Sequence, residues 1–248
     1  MIKLKNPEQL EKMRVAGRIT AQALMVAQEL IKPGVTPLAV DKAIRQFIEK
    51  EGAKPSFLGY GGFPASACIS INDEVIHGIP NDKPFRDGDL VKVDVGAYIG
   101  GFHGDSARTF FCGNVSDEAK ELEEVTRLSF FAGMEKAVVG NRLGDISAAV
   151  QEVVEKAGFS VVRDFVGHGI GSDLHEDPEV PNFGRAGRGV RLSAGMVIAL
   201  EPMVNVGDYR VGVLDNDWTV VTVDGSLSAH YENTIVITEN GPEILTKI

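Results

Sequence analysis

The stretch Val91–Gly113 constrains the fold of this sequence more than any other, because it places two carboxylates inside an apolar β-hairpin. Apolar and polar residues alternate along both arms, and Gly100 and Gly101 fall where a tight turn is needed. Asp94 lies among valines, where a lone carboxylate is costly unless a cation neutralises it. Asp105 lies on the other arm. An edge hairpin with solvated aspartates is the simpler alternative.

Two further acids occupy similar settings in the second half of the chain. Glu201 ends the apolar run 196–200, and Glu232 precedes the β-rich segment 234–237. A lone loop histidine is more often structural than a ligand, but His168 lies between two glycines and has four acids to join. Oxygen donors with one imidazole suit Mn²⁺, Fe²⁺ or Co²⁺, and Zn²⁺ is acceptable. We therefore predict a two-metal centre.

Composition argues against several classes of partner. The 248 residues carry a net charge of −10 and contain no basic stripe, which argues against a nucleic-acid or anionic-membrane surface. The N-terminus has no apolar signal segment, and no apolar run could span a bilayer. The only cysteines, Cys68 and Cys112, lie in apolar, strand-like segments. We expect reduced thiols and a soluble cytoplasmic protein.

The order of elements repeats within the chain. The helical period predicts four helices, over residues 7–31, 37–51, 117–139 and 145–156. They form two pairs, and aligning Gly34 with Gly140 places Gly52 on Gly158 without a gap. No stretch between the pairs has the composition of a flexible linker, so we expect one domain over residues 1–248.

The candidate site residues follow the same repeat. The matched pairs are Asp94 with Glu201, Asp105 with Glu232, and His77 with His175. The acids of the first pair each follow a glycine and five strand residues, those of the second each begin a strand, and both histidines precede a proline. These matches predict two α/β halves related by a pseudo-twofold axis, with the matched acids meeting where the halves join.

Four motifs resemble those of the type I methionine aminopeptidases in order and spacing: VDVGAYIGGFHGDSARTF, GHGIG, ALEPMV and YENTIVIT. The resemblance runs from about residue 5 to the C-terminus and is to the short bacterial form, without a zinc-binding extension or a large insertion. It implies the pita-bread fold, a mixed α/β (α+β) fold of two pseudo-twofold halves around a curved, central antiparallel sheet with helices outside. The implied activity removes the initiator methionine from nascent proteins whose second residue is small.

The resemblance also implies the metal ligands and the catalytic groups. By the resemblance, Asp94 binds one metal, and His168 and Glu201 bind the other. Asp105 and Glu232 bridge the two metals. Two divalent ions (Co, Mn, Fe or Zn) would hold a hydroxide that attacks the first peptide bond. The family's two catalytic histidines fall on His77 and His175, which contact the scissile amide, and its general base falls on Glu201.

The methionine pocket and a second cation site are carried over in the same way. The pocket falls on Tyr60, Phe63, Cys68, Leu174 and Trp218. Core packing is the alternative for these side chains, although Tyr60 and Phe63 lie in a Gly-rich loop. Ser228 matches a residue near a monovalent-cation site in the family.

Several positions depart from the family's usual pattern. Leu174 stands where bacterial relatives often have Phe, Phe57 where some have Cys, and Asn233 where His is usual. His230 replaces the usual Gln. In an extended strand it shares a face with Glu232, unless a bulge turns it to solvent. If it faces the metals, its imidazole is expected to titrate between about pH 5 and 8.

Two other functions stay open from the sequence. A prolidase or aminopeptidase P on this fold would carry an extra N-terminal domain, and a metal-free binding module should have lost ligands that this chain keeps. The resemblance implies the N-terminal methionine of nascent polypeptides as the partner of the site. We expect a monomer with no nucleic-acid or membrane surface, and a transient contact with the ribosome stays open.

Overall fold

The computed structural model describes all 248 residues and consists of helices and short antiparallel strands. The helices are α1 (Pro7–Leu30), α2 (Pro37–Lys50), α3 (Asp117–Glu135) and α4 (Leu143–Lys156). The strands are β1 (Lys54–Pro55), β2 (Ala67–Ile71), β3 (Glu74–Ile76), β4 (Leu90–Ile99), β5 (Phe102–Phe111), β6 (Ser160–Val161), β7 (Gly167–Gly169), β8 (Glu176–Val180), β9 (Val197–Leu200), β10 (Met203–Asn205), β11 (Val211–Val213), β12 (Val220–Thr222), β13 (Ser228–His230), β14 (Asn233–Thr238) and β15 (Gly241–Ile244). None of the four helices is both long and apolar enough to cross a membrane.

Polar caps fix the starts of three helices where the sequence predicts them. Asn6 caps α1, because its side chain accepts from the backbone N–H of Gln9 and the Gln9 side chain accepts from the N–H of Asn6. The hydroxyl groups of Thr36 and Ser116 cap α2 and α3 in the simpler way, each accepting a backbone N–H three residues on.

Two helix boundaries differ from the prediction. The helix expected from residue 145 begins at Leu143, because Asp145 is its third residue and its carboxylate accepts the N–H of Arg142. The helix expected to reach residue 139 ends at Glu135. There Ala137, fully buried, turns back and donates its N–H to the carbonyl of Met134.

The strands form four sheets in which every pairing is antiparallel, as predicted for the mixed fold. Their strand orders are β1-β4-β2 with β5 added on β4, β13-β10-β6, β11-β12-β3, and β15-β14-β9-β7-β8. The two largest sheets contain the predicted hairpin, as β4 and β5, and the second-half strands β9 and β14.

Each helix pair covers one of these two sheets. Val91, Val93 and Val95 of β4 belong to a buried cluster with residues of α1 and α2, such as Ile19 and Ile44. A second cluster joins α3 and α4 to β9 and β14. The two halves therefore repeat the same layering. Both cysteines are free and buried.

The halves are joined by bonds between β5 and the segment that begins β14. The N–H of Glu232 donates to the carbonyl of Ala107 at 3.0 Å, and the Ser106 hydroxyl donates to the carbonyl of Glu232 at 2.6 Å. The N–H of Asp105 donates to the Thr234 hydroxyl at 3.0 Å. We call this junction the seam. It brings two of the predicted metal ligands side by side.

Candidate active site

One cavity of about 210 Å³ is lined by every residue to which the sequence gave a role in divalent-metal binding, catalysis or methionine binding, whereas Ser228 lies outside it. Its acids and one imidazole are Asp94, Asp105, His168, Glu201 and Glu232, with His77 and His175 beside them. The apolar part is lined by Phe57, Tyr60, Phe63, Cys68, Leu174 and Trp218. Residues more than 170 positions apart in the chain thus share one enclosed space.

The acids reach the cavity from paired strands on either side of the seam. In the hairpin, Asp105 pairs with Gly96 and lies inside β5, although the sequence suggested that it begins a strand. Asp94 lies on β4, opposite Ala107. In the second half, Glu201 follows β9 directly.

Three of the candidate ligands form a tight group. Donor atoms of Asp105, His168 and Glu232 all lie within 4.8 Å of one another. Nε2 of His168 is 3.6 Å from Oε1 of Glu201 and 3.9 Å from Oδ2 of Asp105. Its Nδ1 lies 2.9 Å from the carbonyl oxygen of Gly169, which can only accept a hydrogen bond. Nδ1 therefore carries the proton, and the Nε2 lone pair faces the carboxylates.

Burial makes the cluster of four carboxylates electrostatically unfavourable unless cations neutralise it. It raises the pKa of Asp94 to about 7, and the pKa values of Asp105, Glu201 and Glu232 well above their usual range, where neighbouring carboxylates add to the effect. Oδ1 of Asp94 and Oδ1 of Asp105 are buried without a hydrogen-bond partner. Buried, unpartnered carboxylate oxygens are the donors that a divalent cation satisfies.

The two other histidines stand beside this group in neutral form. Burial lowers the pKa of His77 to about 4, with a smaller contribution from His175, whose own pKa burial also lowers. His77 has a φ of +58°, a left-handed conformation that is uncommon outside glycine. Nδ1 of His175 lies 2.7 Å from the Tyr60 hydroxyl, and its ring centroid is 4.2 Å from that of His168.

The apolar end of the cavity is enclosed by aromatic and aliphatic side chains. Phe63 meets Trp218 edge to face, with ring centroids 5.1 Å apart. Leu174 and Cys68 are buried at 2% and 5% exposure, whereas Tyr60 is 46% exposed. Tyr60 therefore lies at the mouth of the cavity and the other residues form its walls.

His230, whose orientation the sequence left open, faces inward. It is 1% exposed, and its Nε2 lies 3.7 Å from Oε2 of Glu201, while neither ring nitrogen has a hydrogen-bond partner. Burial lowers its pKa to about 3. The expectation that this imidazole titrates between about pH 5 and 8 is therefore wrong, because a desolvated site disfavours its charged form.

Sequence reasoning missed several residues that shape the site. Phe165 and Val166 line the cavity. They directly precede the GHG motif in the sequence, so their position next to that motif could have indicated them. Asn182 donates to the carbonyl of Glu201 at 2.9 Å, and Arg108 donates to that of Glu232 at 2.5 Å. No local pattern marks these last two, because their partners are distant in sequence.

Comparison with known proteins agrees with this site. The profile of metallopeptidase family M24 matches residues 11–239. A methionine aminopeptidase of Clostridium perfringens is 59% identical over 248 residues, which cover 100% of both chains. The crystal structure of methionine aminopeptidase from Thermotoga maritima, 49% identical, matches with a TM-score of 0.99 and full coverage of both chains. Prolidase from Pyrococcus furiosus is 26% identical and matches with a TM-score of 0.81, covering 99% of this chain and 65% of the prolidase chain.

The fold and the acid-lined cavity are those of a metallopeptidase of the pita-bread class. The chain belongs to metallopeptidase family M24 and, within it, to the methionine aminopeptidases. The predicted fold class, the family and the assignment as an enzyme are thereby confirmed. The roles of individual site residues remain predictions.

Proposed function

We propose that this protein removes the N-terminal methionine from polypeptides whose second residue is small. The observation that carries the proposal is one cavity in which a group of acids and histidines adjoins an enclosed apolar pocket. A pocket walled by Phe63, Trp218, Leu174 and Cys68 suits the unbranched, polarizable methionine side chain. The relatives that match over the whole chain are named for that activity.

The acid group is proposed to hold two divalent ions. Such ions fit the unpartnered oxygens of Asp94 and Asp105 and the free Nε2 of His168. Carboxylate oxygens are hard donors, an imidazole nitrogen is intermediate, and the proposed ligand set contains no soft thiolate. Asp94 would bind one ion, and His168 and Glu201 would bind the second. Asp105 and Glu232 would contribute to both ions. When bound, such ions acidify water and polarise a carbonyl group.

The chain's own groups would then position the substrate and move protons. Glu201 would take a proton from the attacking water and pass it toward the leaving amine. His175 donates from Nε2 to the oxygen on which negative charge develops. His77, neutral and held between Phe165 and Trp218, contacts the amide that is cleaved.

The setting of the reaction follows from the substrate. A nascent chain presents its N-terminal methionine in the cytoplasm, and the two free, buried cysteines suit that reducing compartment. The chain's own second residue is Ile2, which is not small, so the protein is expected to retain Met1. Mass spectrometry of protein made in its native host measures this directly.

The experiment that tests the function uses metal-stripped protein with each of Mn²⁺, Fe²⁺, Co²⁺ and Zn²⁺ added back. Substrates are Met-Ala-Ser, Met-Leu-Ser and a set of Xaa-Pro peptides. We expect kcat/KM for Met-Ala-Ser to exceed that for Met-Leu-Ser by at least about tenfold. Preferred cleavage of Xaa-Pro peptides would instead indicate a prolidase-like enzyme, and no cleavage with any metal a binding module.

A further inference from the structure

Lys92 is a fully buried lysine next to the candidate active site. It is 1% exposed, and strand alternation places its side chain on the face of β4 that carries Asp94, whereas Val91 and Val93 pack against the helices. Lysine is almost never fully buried unless its ammonium has partners. The groups that hold this ammonium therefore identify a cation-binding position within the fold.

Backbone carbonyl oxygens hold the ammonium. Nζ donates to the carbonyl of Asn72 at 2.8 Å and lies 3.5 Å from the carbonyl of Leu90. Burial lowers the pKa of Lys92 to about 7, and neighbouring carboxylates, chiefly that of Glu74, oppose this effect through space. An ammonium that bonds carbonyl oxygens in an acidic surrounding has the environment of a bound alkali-metal ion.

Asn72 connects three parts of the chain at this position. It has a φ of +56°, and its N–H donates to the carbonyl of Leu90 at 2.9 Å, which clips the turn after β2 to the start of β4. Its own carbonyl oxygen, the one that accepts from Lys92, also accepts the N–H of Ser228 at 3.1 Å. Ser228 begins β13, which leads directly to His230 and the seam.

The same position is where the family resemblance implies a monovalent cation, beside Ser228. The residues present do not fit an additional ion. The carbonyl of Asn72 is already bonded to the ammonium of Lys92, and a second cation on that oxygen would meet a like charge in a desolvated site. The chain carries its own positive charge there.

We propose that the ammonium of Lys92 takes the place of a monovalent cation at the junction of β2, β4 and β13, so that this part of the fold requires neither K⁺ nor Na⁺. The amino group is tethered by its own side chain, so its presence at this position does not depend on the concentration of free ions. It holds the turn at Asn72 against Ser228, and thereby the strand that leads to Glu232. The inference concerns folding stability and stands independently of the proposed peptidase activity.

Thermal unfolding in different salts tests the proposal. Wild type, Lys92→Ser and the control Lys42→Ser, an exposed lysine of α2, are compared in KCl, NaCl and tetramethylammonium chloride at equal concentration and equal divalent-metal loading. The wild type and the control are expected to unfold at the same temperature in all three salts. Lys92→Ser is expected to unfold about 2–4 °C higher in KCl or NaCl than in the bulky salt, because a small cation can now replace the ammonium.

Two results overturn the proposal: stabilisation of the wild type by K⁺ or Na⁺ over tetramethylammonium, or no salt preference in Lys92→Ser. Crystals of the wild type grown in RbCl provide a second test that needs no variant. Anomalous density for Rb⁺ at the Asn72 carbonyl overturns the proposal, and its absence there supports it even if Lys92→Ser does not fold.

Discussion

The Tyr60 hydroxyl lies 2.7 Å from Nδ1 of His175, which joins a residue of the predicted methionine pocket to a predicted catalytic group. Burial raises the pKa of the Tyr60 phenol, so the hydroxyl keeps its proton and can donate it. A proton donated to Nδ1 leaves the imidazole hydrogen on Nε2. That is the tautomer that His175 needs in order to donate to a developing oxyanion.

Tyr60→Phe is therefore expected to lower kcat rather than to raise KM. Loss of one such hydrogen bond, at about 1 kcal/mol, corresponds to a roughly five- to tenfold decrease. Steady-state kinetics with Met-Ala-Ser measure it, and Tyr209→Phe, on an exposed tyrosine, is the matched control. A raised KM with unchanged kcat would show that Tyr60 only contacts the substrate at the mouth of the cavity.

Glu201→Gln is expected to lower turnover by about 10²–10⁴-fold, the range for loss of a positioned general base. Glutamine keeps the size of the side chain but cannot take a proton at neutral pH. Because Glu201 is also a proposed ligand, metal content is measured in the same samples, and exposed Glu239→Gln is the control. Near-normal turnover in the metal-loaded variant would exclude the role of base.

In the metal-free protein, Asp94 is expected to make a contribution to stability that decreases as the pH rises. Burial raises the pKa of Asp94 from 3.8 to about 7, so between those values the folded state keeps a proton that the unfolded state has released. This contribution is fully present below about pH 4 and is lost as the pH rises through about 7. Between pH 5 and pH 7.5, the Tm of chelator-treated wild type should therefore change less favourably than that of chelator-treated Asp94→Asn, in which the buried histidines contribute alike but this carboxyl group is absent.

Added Mn²⁺ should reverse that loss, most strongly at pH 7.5, where it meets ionised ligands. At a free concentration 100 times Kd the stabilisation is about 2.7 kcal/mol. Asp105→Asn should reduce the metal-dependent rise in Tm, whereas Asp164→Asn, an exposed carboxylate, should preserve it. An equal rise in both variants would mean that the ion binds elsewhere.

His230→Gln tests whether the buried imidazole orients Glu201. Loss of a group that orients a metal ligand typically costs about 10–100-fold in metal affinity or activity. Isothermal titration with Mn²⁺ measures the affinity, and His103→Gln, outside the cavity, is the control. Equal affinity and activity in the wild type and His230→Gln would show that the substitution is passive. The pH dependence of activity is expected to be the same in both, because the imidazole stays neutral.

Local patterns predicted the elements well, since caps and periodicity are encoded within a few residues. The hairpin and the starts of α1 to α3 follow from such patterns. The start of α4 was misplaced because an aspartate at the third helical position resembles an N-cap. The resemblance, rather than periodicity, added the two catalytic histidines and the five pocket residues to the five predicted ligands, which together make twelve of the sixteen residues that line the cavity.

Contacts between the two halves could not be predicted from the sequence, because nothing local specifies that Glu232 bonds Ala107 or that Tyr60 meets His175. Lys92 is different. Alternation along β4 already placed it on the face of Asp94, and a lysine between buried valines was a signal that could have been used.

The seam also has a consequence for the symmetry of the site. Each half contributes one acid from a central strand region, Asp94 or Glu201, and one from its antiparallel neighbour, Asp105 or Glu232. His168 has no counterpart among the predicted ligands of the first half. The acids are therefore paired across the seam, but the predicted ligand set is asymmetric, and its two sides present different donors to a bound peptide.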